Sequence, residues 1–434
     1  MHRGVSWLLA ELPRLEHDGV LTAEAAEALR RHYQSREADT PEIHWGPVLL
    51  ACVGAVLVGG GIILILAHNW DLLGRPARAA IALGTLLAAQ VLTFFAVARR
   101  SGSDAWLEAT SGLLVAATGA AIALVGQTYH VGGSFETLMR AWLWLVVPIP
   151  YLTGSCLAAV GFWGLFVMRV AGLGSHNAPL DVWPLALAAV PFVVLRVRRH
   201  PDSWATTLVT WMAAGGVFLA GTFQTIDRDW NGLWAVFQVT FLTALVGAAC
   251  WPSPADGGAW RRRLLLPAWV LLIVIGTILS FDEPWRRLTV VSPRLMPPSL
   301  LIVAMIAAAC AAFASAATFR LTQARRPDLA AVTAAAILVV AMHALAIAGY
   351  NQLGWIGFNL WLLAVGSLNL AAGIRELRLG LANRGLFAIA ALILARFFDT
   401  DLSFLVRGLA FVALGIACFA LNVELMRRLK EKHA

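Results

Sequence analysis

Apolar runs long enough to span a membrane, separated by short polar breaks, fill this chain from residue 45 onward. The first run extends from Gly46 to Ala67 without a charged residue and ends in the polar segment His68-Asn69-Trp70-Asp71. At a rise of about 1.5 Å per residue, a helix over this run can cross the hydrocarbon layer of a bilayer. Water cannot satisfy backbone groups in that layer, and the runs lack the alternation of barrel strands. Each run is therefore predicted to be a transmembrane helix.

About fourteen spans are predicted, within a range of 12–14, so the fold class is an all-α, polytopic transmembrane helical bundle. The predicted spans are 47–67, 77–98, 110–127, 139–152, 155–171, 182–197, 204–226, 231–251, 264–281, 299–319, 329–349, 353–373, 384–398 and 403–425. The count is open near 139–171 and 384–398. Merging the fourth and fifth runs would invert the sidedness of all later loops, so Pro148–Tyr151 is predicted to lie in a hairpin of two short helices.

Three regions are predicted along the chain. Residues 1–44 form a short cytosolic helical hairpin, residues 45–426 form the transmembrane helical domain, and residues 427–434 form a basic cytosolic tail. Gly19 suits the turn of the hairpin because glycine adopts positive φ without strain. Thr22 is a suitable N-cap for its second helix. The hairpin either lies on the membrane or its loops, or serves as a docking or oligomerisation module.

Composition excludes a soluble enzyme with a single anchor. Hydrophobic residues make up 59% of the chain and charged residues 13%, and the mean hydropathy is +0.74. A soluble domain carries about 25% charged residues. The net charge of +8 resides in short loops and not in a basic stripe with interleaved aromatic residues, so no nucleic-acid partner is predicted.

The basic residues also orient the predicted bundle. With a cytoplasmic N-terminus, the strong arginine clusters fall on the cytoplasmic side, as the positive-inside rule requires, and both termini are cytoplasmic. These clusters are Arg99/Arg100, Arg196/Arg198/Arg199, Arg261/Arg262/Arg263, Arg320/Arg325/Arg326, Arg375/Arg378/Arg384 and Arg427/Arg428/Lys430/Lys432. The exception is the outer loop with Arg286, Arg287 and Arg294, which is interpreted as a re-entrant or surface element.

Familiar cofactor motifs are missing from the sequence. The five cysteines lie inside apolar runs without CxxC spacing, which indicates neither a disulfide framework nor a zinc knuckle. There is no P-loop, no GxSxG and no GxGxxG following a strand. No cofactor is therefore predicted, and no metal site is assigned.

Unusual polar residues collect at the outer ends of the predicted spans. His68 and Asp71 end the first span and His130 ends the third, and these three are the predicted catalytic residues. Histidine transfers protons near neutral pH, and two histidines with a carboxylate could also hold zinc. The alternative is structural, with helix capping and interfacial anchoring.

A second set of outer residues is predicted to bind substrate. Asn69 and Trp70 end the first span, Gln127 and Tyr129 end the third, and Glu136 follows in the next loop. Four hydrogen-bonding residues in succession at 127–130 need partners or water at a membrane-embedded helix end. Two interpretations of this segment stay open, a packed polar network and a substrate site.

Charged residues also gather around the thirteenth span. Arg396, Asp399, Asp401 and Arg407 are predicted as further binding residues. Arg396 and Asp399 are three residues apart and can share one helical face, and a structural salt-bridge network joining the last two helices is the first interpretation. A site for an anionic group or a lipid headgroup is the second, because an unpaired charge below the membrane surface is costly.

These segments resemble a known family. Ala67-His68-Asn69-Trp70-Asp71, Val125-Gly126-Gln127-Thr128-Tyr129-His130 and the N-terminal hairpin with Leu12, Leu15, Gly19 and Leu21 resemble the bacterial predicted-membrane-protein family called domain of unknown function 2157. Asn383-Arg384-Gly385 and the Arg396–Asp401 segment with Arg407-Gly408 are similar to the same group. The resemblance implies a multi-pass protein of the bacterial inner membrane, without an established activity.

Three functions are compatible with this pattern. The preferred one is binding or transport of a small-molecule or lipid-linked substrate, which requires a cavity at mid-membrane depth lined by residues such as His343 or Asn359. An intramembrane enzyme requires His68 and His130 within about one metal or one water of each other. A non-catalytic scaffold subunit with a membrane-protein partner requires neither. The lipid bilayer is a partner in all three.

Overall fold

The protein is described by a computed structural model at residues 11–38, 73–171, 180–226, 232–251, 258–286 and 298–397, and at scattered positions between 405 and 427. The chain divides into two compact units, residues 1–78 and residues 79–434. Every regular element among the described residues is helical.

The first unit contains two helices joined by a turn. Helix α1 (11–17) and helix α2 (Ala23–Ala38) are joined by a turn in which Gly19 has φ +69°. The Oγ1 of Thr22 accepts a hydrogen bond from the N–H of Ala25 at 3.3 Å, which satisfies one free donor at the start of α2. The predicted boundary at residues 44 and 45 lies outside the described residues and stays a prediction.

The second unit is a bundle of helices whose first member, α3, begins just before the boundary. These helices are α3 (Arg75–Arg99), α4 (Asp104–Tyr129), α5 (Phe135–Val146), α6 (Pro148–Thr153), α7 (Cys156–Val170), α8 (Val182–Arg199), α9 (Trp204–Ile226) and α10 (Leu233–Cys250). They continue with α11 (Gly258–Leu279), α12 (Glu283–Arg286), α13 (Pro298–Gln323), α14 (Pro327–Thr333), α15 (Ala335–Ile347), α16 (Asn351–Arg375) and α17 (Leu379–Phe397).

The predicted all-α polytopic architecture is confirmed. Within the described ranges, nine helices are long and apolar enough to cross a membrane. The predicted spans from the second to the thirteenth each coincide with helix. The first predicted span lies outside the described residues. The described positions of the fourteenth are helical and exposed.

The predicted pair of short helices around residues 139–171 is present, although the first of them is divided into α5 and α6. Pro148–Tyr151 is helical within α6, inside the predicted span 139–152, because proline is tolerated in the first turn of a helix. The chain reverses after α6 at Gly154, which has φ +69°. Glu108 near the start of α4 accepts hydrogen bonds from the N–H groups of Cys156 and Leu157 at 2.8 and 2.6 Å, so α4 and α7 begin at the same end of the bundle.

Helix α10 is shared by two hydrophobic clusters that form the core of the second unit. Its Phe237 packs in a cluster with residues of α4–α9 and α13. Its Val239, Leu242 and Val246 pack in a second cluster with residues of α11, α12 and α14–α17. This explains why α10 is apolar on all sides, as expected of a helix surrounded by protein.

Helices α16 and α17 form a hairpin in which glycines bring the two backbones together. A Cβ atom on Gly373 would lie 2.3 Å from the N of Ala382, and one on Gly385 would lie 2.5 Å from the N of Leu370. Small residues at such interfaces permit close approach, which is how transmembrane helices gain packing energy. The link between the two helices includes Leu377 at φ +53°.

A tyrosine hydroxyl bridges an interrupted backbone hydrogen bond in α8. Pro191 lies inside this helix, where proline disturbs the regular hydrogen-bond ladder. The Tyr151 hydroxyl donates to the Ala188 carbonyl and accepts from the Phe192 N–H at 3.1 Å. The hydroxyl therefore lies between two groups that an undisturbed helix would pair directly.

Contacts join the arginine-bearing helix ends to one another. The Arg263 Nη1 donates to the Thr207 Oγ1 at 3.0 Å, and its guanidinium lies 4.1 Å from the centroid of the Trp204 ring. Arg326 and Arg384 lie near Cys250 at the end of α10. We call this the arginine end, defined by Arg196, Arg198, Arg199, Arg261–Arg263, Arg326 and Arg384. The ends of α4, α7, α11 and α15 lie at the opposite end.

Candidate functional site

The predicted polar segment at residues 127–130 closes α4 but does not form a packed network with other described residues. Thr128 is buried, and its hydroxyl donates to the Leu124 carbonyl of the same helix at 2.7 Å. Gln127, Tyr129 and His130 are exposed. His130 adopts the left-handed conformation at φ 51°, and its N–H donates to the Gly126 carbonyl, so it serves as the C-cap.

A groove opens beside this segment, between the end of α4 and the start of α5. The two helices are in close contact at Gly119, where an added Cβ would lie 2.2 Å from the Trp142 ring. The Trp142 Nε1 donates to the Val115 carbonyl at 2.8 Å and fixes that contact. Towards the opposite end the helices separate around a cavity of about 460 Å³. Its lining residues are Ile122, Ala123, Val125, Gly126, Gln127, Val131, Gly132, Gly133, Ser134, Phe135, Thr137, Leu138 and Ala141.

The groove is lined mostly by apolar residues, with a few polar side chains among them. Gln127, Ser134 and Thr137 supply its polar side chains. Ser134 is the N-cap of α5 and accepts a hydrogen bond from the Thr137 N–H at 3.4 Å. The flanking glycines explain why the sequence can place a helix C-cap and a helix N-cap a few residues apart. Of the predicted binding residues, Gln127 lines the groove.

Glu136 belongs instead to a charged cluster around Arg169 near the end of α7. The Arg169 side chain is 7% exposed. Its Nη2 lies 3.2 Å from the Asp181 Oδ1, and its Nη1 lies 3.8 Å from the Glu136 Oε1. Asp181 precedes α8 and Glu136 lies in the first turn of α5, so the cluster links three helices. A buried charge must be paired in this way to be tolerated.

The Arg169 cluster was not predicted, although the sequence carries a signal for it. Arg169 is a lone charge inside the last turn of an apolar run, and Glu136 and Asp181 begin the neighbouring runs. A charge at such depth indicates a partner from another helix. Asp181 was not considered, because hydropathy does not reveal which helix ends meet.

Arg396 lies at the opposite end and contacts α11. Its Nη2 donates to the carbonyl and the hydroxyl of Ser280, and its guanidinium lies 5.0 Å from the centroid of the Phe281 ring. Helix α17 begins at Leu379 and not at 384, so Arg396 ends a helix of 19 residues. The predicted partner Asp399, together with Asp401 and Arg407, lies outside the described residues.

A second cavity of about 430 Å³ lies at the opposite end, where α12 meets the start of α16. Asp282, Arg286, Tyr350, Asn351 and Gln352 supply its polar groups. The outer loop with Arg286 was interpreted as a re-entrant or surface element. Its short helix α12 is held by Trp285, which is fully buried.

The predicted catalytic set cannot be assembled from the described part of the chain. His68 and Asp71 lie outside the described residues, as do the predicted binding residues Asn69 and Trp70. His130 is exposed at the end of α4. In the described ranges, no group of three His, Cys, Asp or Glu side chains could hold a metal ion. The assignment of His68, Asp71 and His130 therefore stays a prediction.

The two polar residues expected to line a mid-membrane cavity are engaged in packing. The Asn359 Nδ2 donates to the carbonyls of Ser280 and Trp355 at 2.9 and 2.7 Å. His343 packs against the start of α10, where a Cβ on Gly232 would lie 1.9 Å from its Cε1. Neither residue lines the groove or the second cavity.

Comparison with known proteins adds one finding. No curated protein and no solved structure matches the chain. The family model described as "Predicted membrane protein (DUF2157)" matches residues 13–159. This stretch contains the N-terminal hairpin, the 67–71 segment and the groove between α4 and α5, whereas the similar C-terminal segments lie beyond it. The apolar helices and this match identify a membrane protein whose N-terminal third, as its sequence resemblance predicted, matches domain of unknown function 2157.

Proposed function

We propose that the protein binds a lipid or lipid-linked molecule in the groove between α4 and α5. The observation that supports this proposal is the composition of the groove's lining, in which apolar residues predominate and Gln127, Ser134 and Thr137 supply polar groups. A ligand with an apolar chain and a hydrogen-bonding head would match both kinds of group. Binding is proposed here without transport, because neither His343 nor Asn359 lines a described cavity.

The position of the groove relative to the membrane also favours a lipid. It lies at one end of α4, a helix long enough to cross the membrane, and headgroups and the first methylenes of acyl chains are found at the ends of such helices. Val131 and Phe135 at its mouth are exposed apolar side chains, and they would be covered by a bound chain. Each buried methylene would contribute about 0.8 kcal/mol if it came from water, and less if it came from lipid.

A steric plug tests the proposal. Gly126 lines the groove, and no described atom lies within 4 Å of a Cβ added there. The Cβ of Gly126→Leu would therefore meet no described atom, and the leucine side chain would occupy part of the groove. Gly164 in α7 is a matched control, because it is also helical and its added Cβ also meets no described atom.

The full chain is purified in mild detergent and exposed to phospholipids with a photoreactive acyl chain. Cross-links should map to peptides covering residues 122–141 in the parent protein and in Gly164→Leu, and they should fall by ten-fold or so in Gly126→Leu, a change of about 1.4 kcal/mol in binding. Equal labelling of residues 122–141 in Gly126→Leu would contradict the proposal. Labelling confined to other peptides would contradict it as well.

A further inference from the structure

Arg384 is a charged residue inside the apolar helix α17, at the arginine end of the bundle. It lies five residues after Leu379, where α17 begins, so it is about 7.5 Å along the helix axis. Its neighbours Ala382 and Gly385 are buried against the α16 backbone, whereas Arg384 is partly exposed. The packing of α17 on α16 therefore fixes the position of Arg384 on the surface of the bundle.

The acidic side chains near Arg384 are already engaged by other arginines. Asp328 is 1% exposed, and Arg326 binds both of its oxygens, with Nε 3.2 Å from Oδ1 and Nη2 3.0 Å from Oδ2. Glu376 pairs with Arg378 at 3.6 Å. Arg384 forms no hydrogen bond or ion pair with any described residue, and none of its nitrogens is a buried atom without a partner. Its guanidinium is therefore accessible and carries positive charge that no described carboxylate neutralises.

Two other arginines inside apolar helices show how such a charge is met within the protein. Arg169 pairs with Asp181, and Arg396 donates to Ser280. An unpaired charge below the membrane surface is costly, and Arg384 lacks an equivalent partner in the described part of the chain. A bound anion at Arg384 would meet the same requirement.

An exposed apolar surface continues from Arg384 along α17. Phe387 and Leu394 follow it by three and ten residues, so they lie on the same side of the helix, and they are 44% and 49% exposed. The Phe387 ring packs on Trp269 of α11, with ring centroids 5.8 Å apart. From Arg384 to Leu394 this surface extends about 15 Å, half of a hydrocarbon layer of about 30 Å. A charge at the arginine end is thus followed by an apolar track one leaflet deep.

We propose that Arg384 binds the phosphate of an anionic phospholipid of the phosphatidylglycerol class, while one acyl chain of that lipid lies on Phe387 and Leu394. The planar guanidinium donates two parallel hydrogen bonds to the phosphate oxygens. Because the carboxylates of Asp328 and Glu376 are already paired, they leave no partner for the ammonium of phosphatidylethanolamine or phosphatidylcholine. The phosphatidylglycerol headgroup carries no positive charge and needs no such partner. The apolar track favours a lipid over a free phosphate ion.

The test compares phospholipids on the full chain in mild detergent, with a lipid-binding titration and the thermal unfolding midpoint as readouts. Phosphatidylglycerol should raise the midpoint and bind about ten-fold more tightly than phosphatidylcholine or phosphatidylethanolamine, the difference expected for one charge-assisted hydrogen bond. Soluble glycerophosphoglycerol, which is the same headgroup without acyl chains, should bind more weakly than the lipid by at least about ten-fold. Equal binding of all three lipids, or binding of the soluble headgroup as tight as that of the lipid, would overturn the proposal.

Variants at Arg384 then locate the site. Arg384→Gln removes the charge and should reduce the preference for phosphatidylglycerol to within about two-fold. Arg384→Lys keeps the charge without the planar fork and should retain an intermediate preference. The comparison of lipids on the parent protein decides even if Arg384→Gln fails to fold.

Arg198→Gln is the control, because it removes an exposed arginine from the last turn of α8 at the same end of the bundle. It should keep the parental preference. A parental preference in Arg384→Gln would overturn the proposal. An equal loss in Arg198→Gln would overturn it as well, because the overall charge of the arginine end would then select the lipid. Gly126→Leu should leave the preference unchanged, which separates this site from the groove.

Discussion

Replacing Glu108 tests whether a single carboxylate holds the start of α7. Its Oε2 accepts from the Ser155 hydroxyl at 2.6 Å and from the Leu157 N–H at 2.6 Å, and its Oε1 accepts from the Cys156 N–H at 2.8 Å. The first N–H groups of a helix have no partner within that helix. Because the carboxylate comes from α4, it also links two helices that are far apart in sequence.

The magnitude follows from these three bonds. A hydrogen bond to a charged group contributes about 1.5–3 kcal/mol, and removing the acceptor leaves the donors unsatisfied. Water reaches this partly exposed helix end, so we expect Glu108→Ala to lower the free energy of unfolding by about 3–5 kcal/mol, less than the sum of three full bonds. Glu108→Gln keeps one acceptor oxygen and should recover roughly half of this loss.

The assay is unfolding of the purified chain in mixed detergent micelles, with tryptophan fluorescence as the readout. Glu376→Ala is the control, since it breaks an exposed ion pair at 3.6 Å and should cost less than about 1 kcal/mol. The reasoning is refuted if Glu108→Ala unfolds within about 0.5 kcal/mol of the parent protein, a difference typical of ordinary surface substitutions.

Three further substitutions probe other contacts by the same measurement. Tyr151→Phe removes the hydroxyl that accepts from the Phe192 N–H and should lower the free energy of unfolding by about 1–3 kcal/mol. No change would show that the α8 hydrogen-bond ladder closes directly and that the inserted hydroxyl is dispensable. Gly385→Val places a side chain against the Leu370 backbone and should cost at least about 3 kcal/mol or prevent folding. Gly380→Val is the control and should do neither, because an added Cβ there meets no described atom. Equal behaviour of the two variants would contradict the packing argument. Arg169→Met leaves the two carboxylates without their cation and should lower the free energy of unfolding by about 3–5 kcal/mol, and Arg169→Lys should lose an intermediate amount. A stable Arg169→Met would show that the cluster is structurally neutral.

The helices could be predicted from sequence because each depends on the hydropathy of its own residues. An uninterrupted apolar run fixes the position of a span, and the sidedness of the arginine clusters separated α5 and α6 from α7 where hydropathy alone would have merged them. The predicted spans 139–152 and 155–171 place the turn between them at residues 153 and 154, and the structure has it at Gly154, which has positive φ.

The candidate sites were predictable only in part, because they depend on which helix ends meet. Gln127 was selected for being polar at a helix end, and it lines the groove, but its role in binding stays a prediction. The first interpretation of Arg396, a salt-bridge network joining the last two helices, did not include α11, whereas the structure places the guanidinium on Ser280, more than a hundred residues earlier. Asp181 acquires its importance from a neighbour, Arg169, that sequence spacing does not identify.

The α16–α17 hairpin bears on the order in which the chain assembles. The Ser280 carbonyl at the end of α11 accepts from Asn359 on one arm of the hairpin and from Arg396 on the other. During synthesis, α11 leaves the ribosome well before either donor exists. The glycine contacts between the arms let the two later helices associate as they emerge. A nascent chain halted before residue 350 would thus carry an α11 terminus whose final partners have yet to be translated.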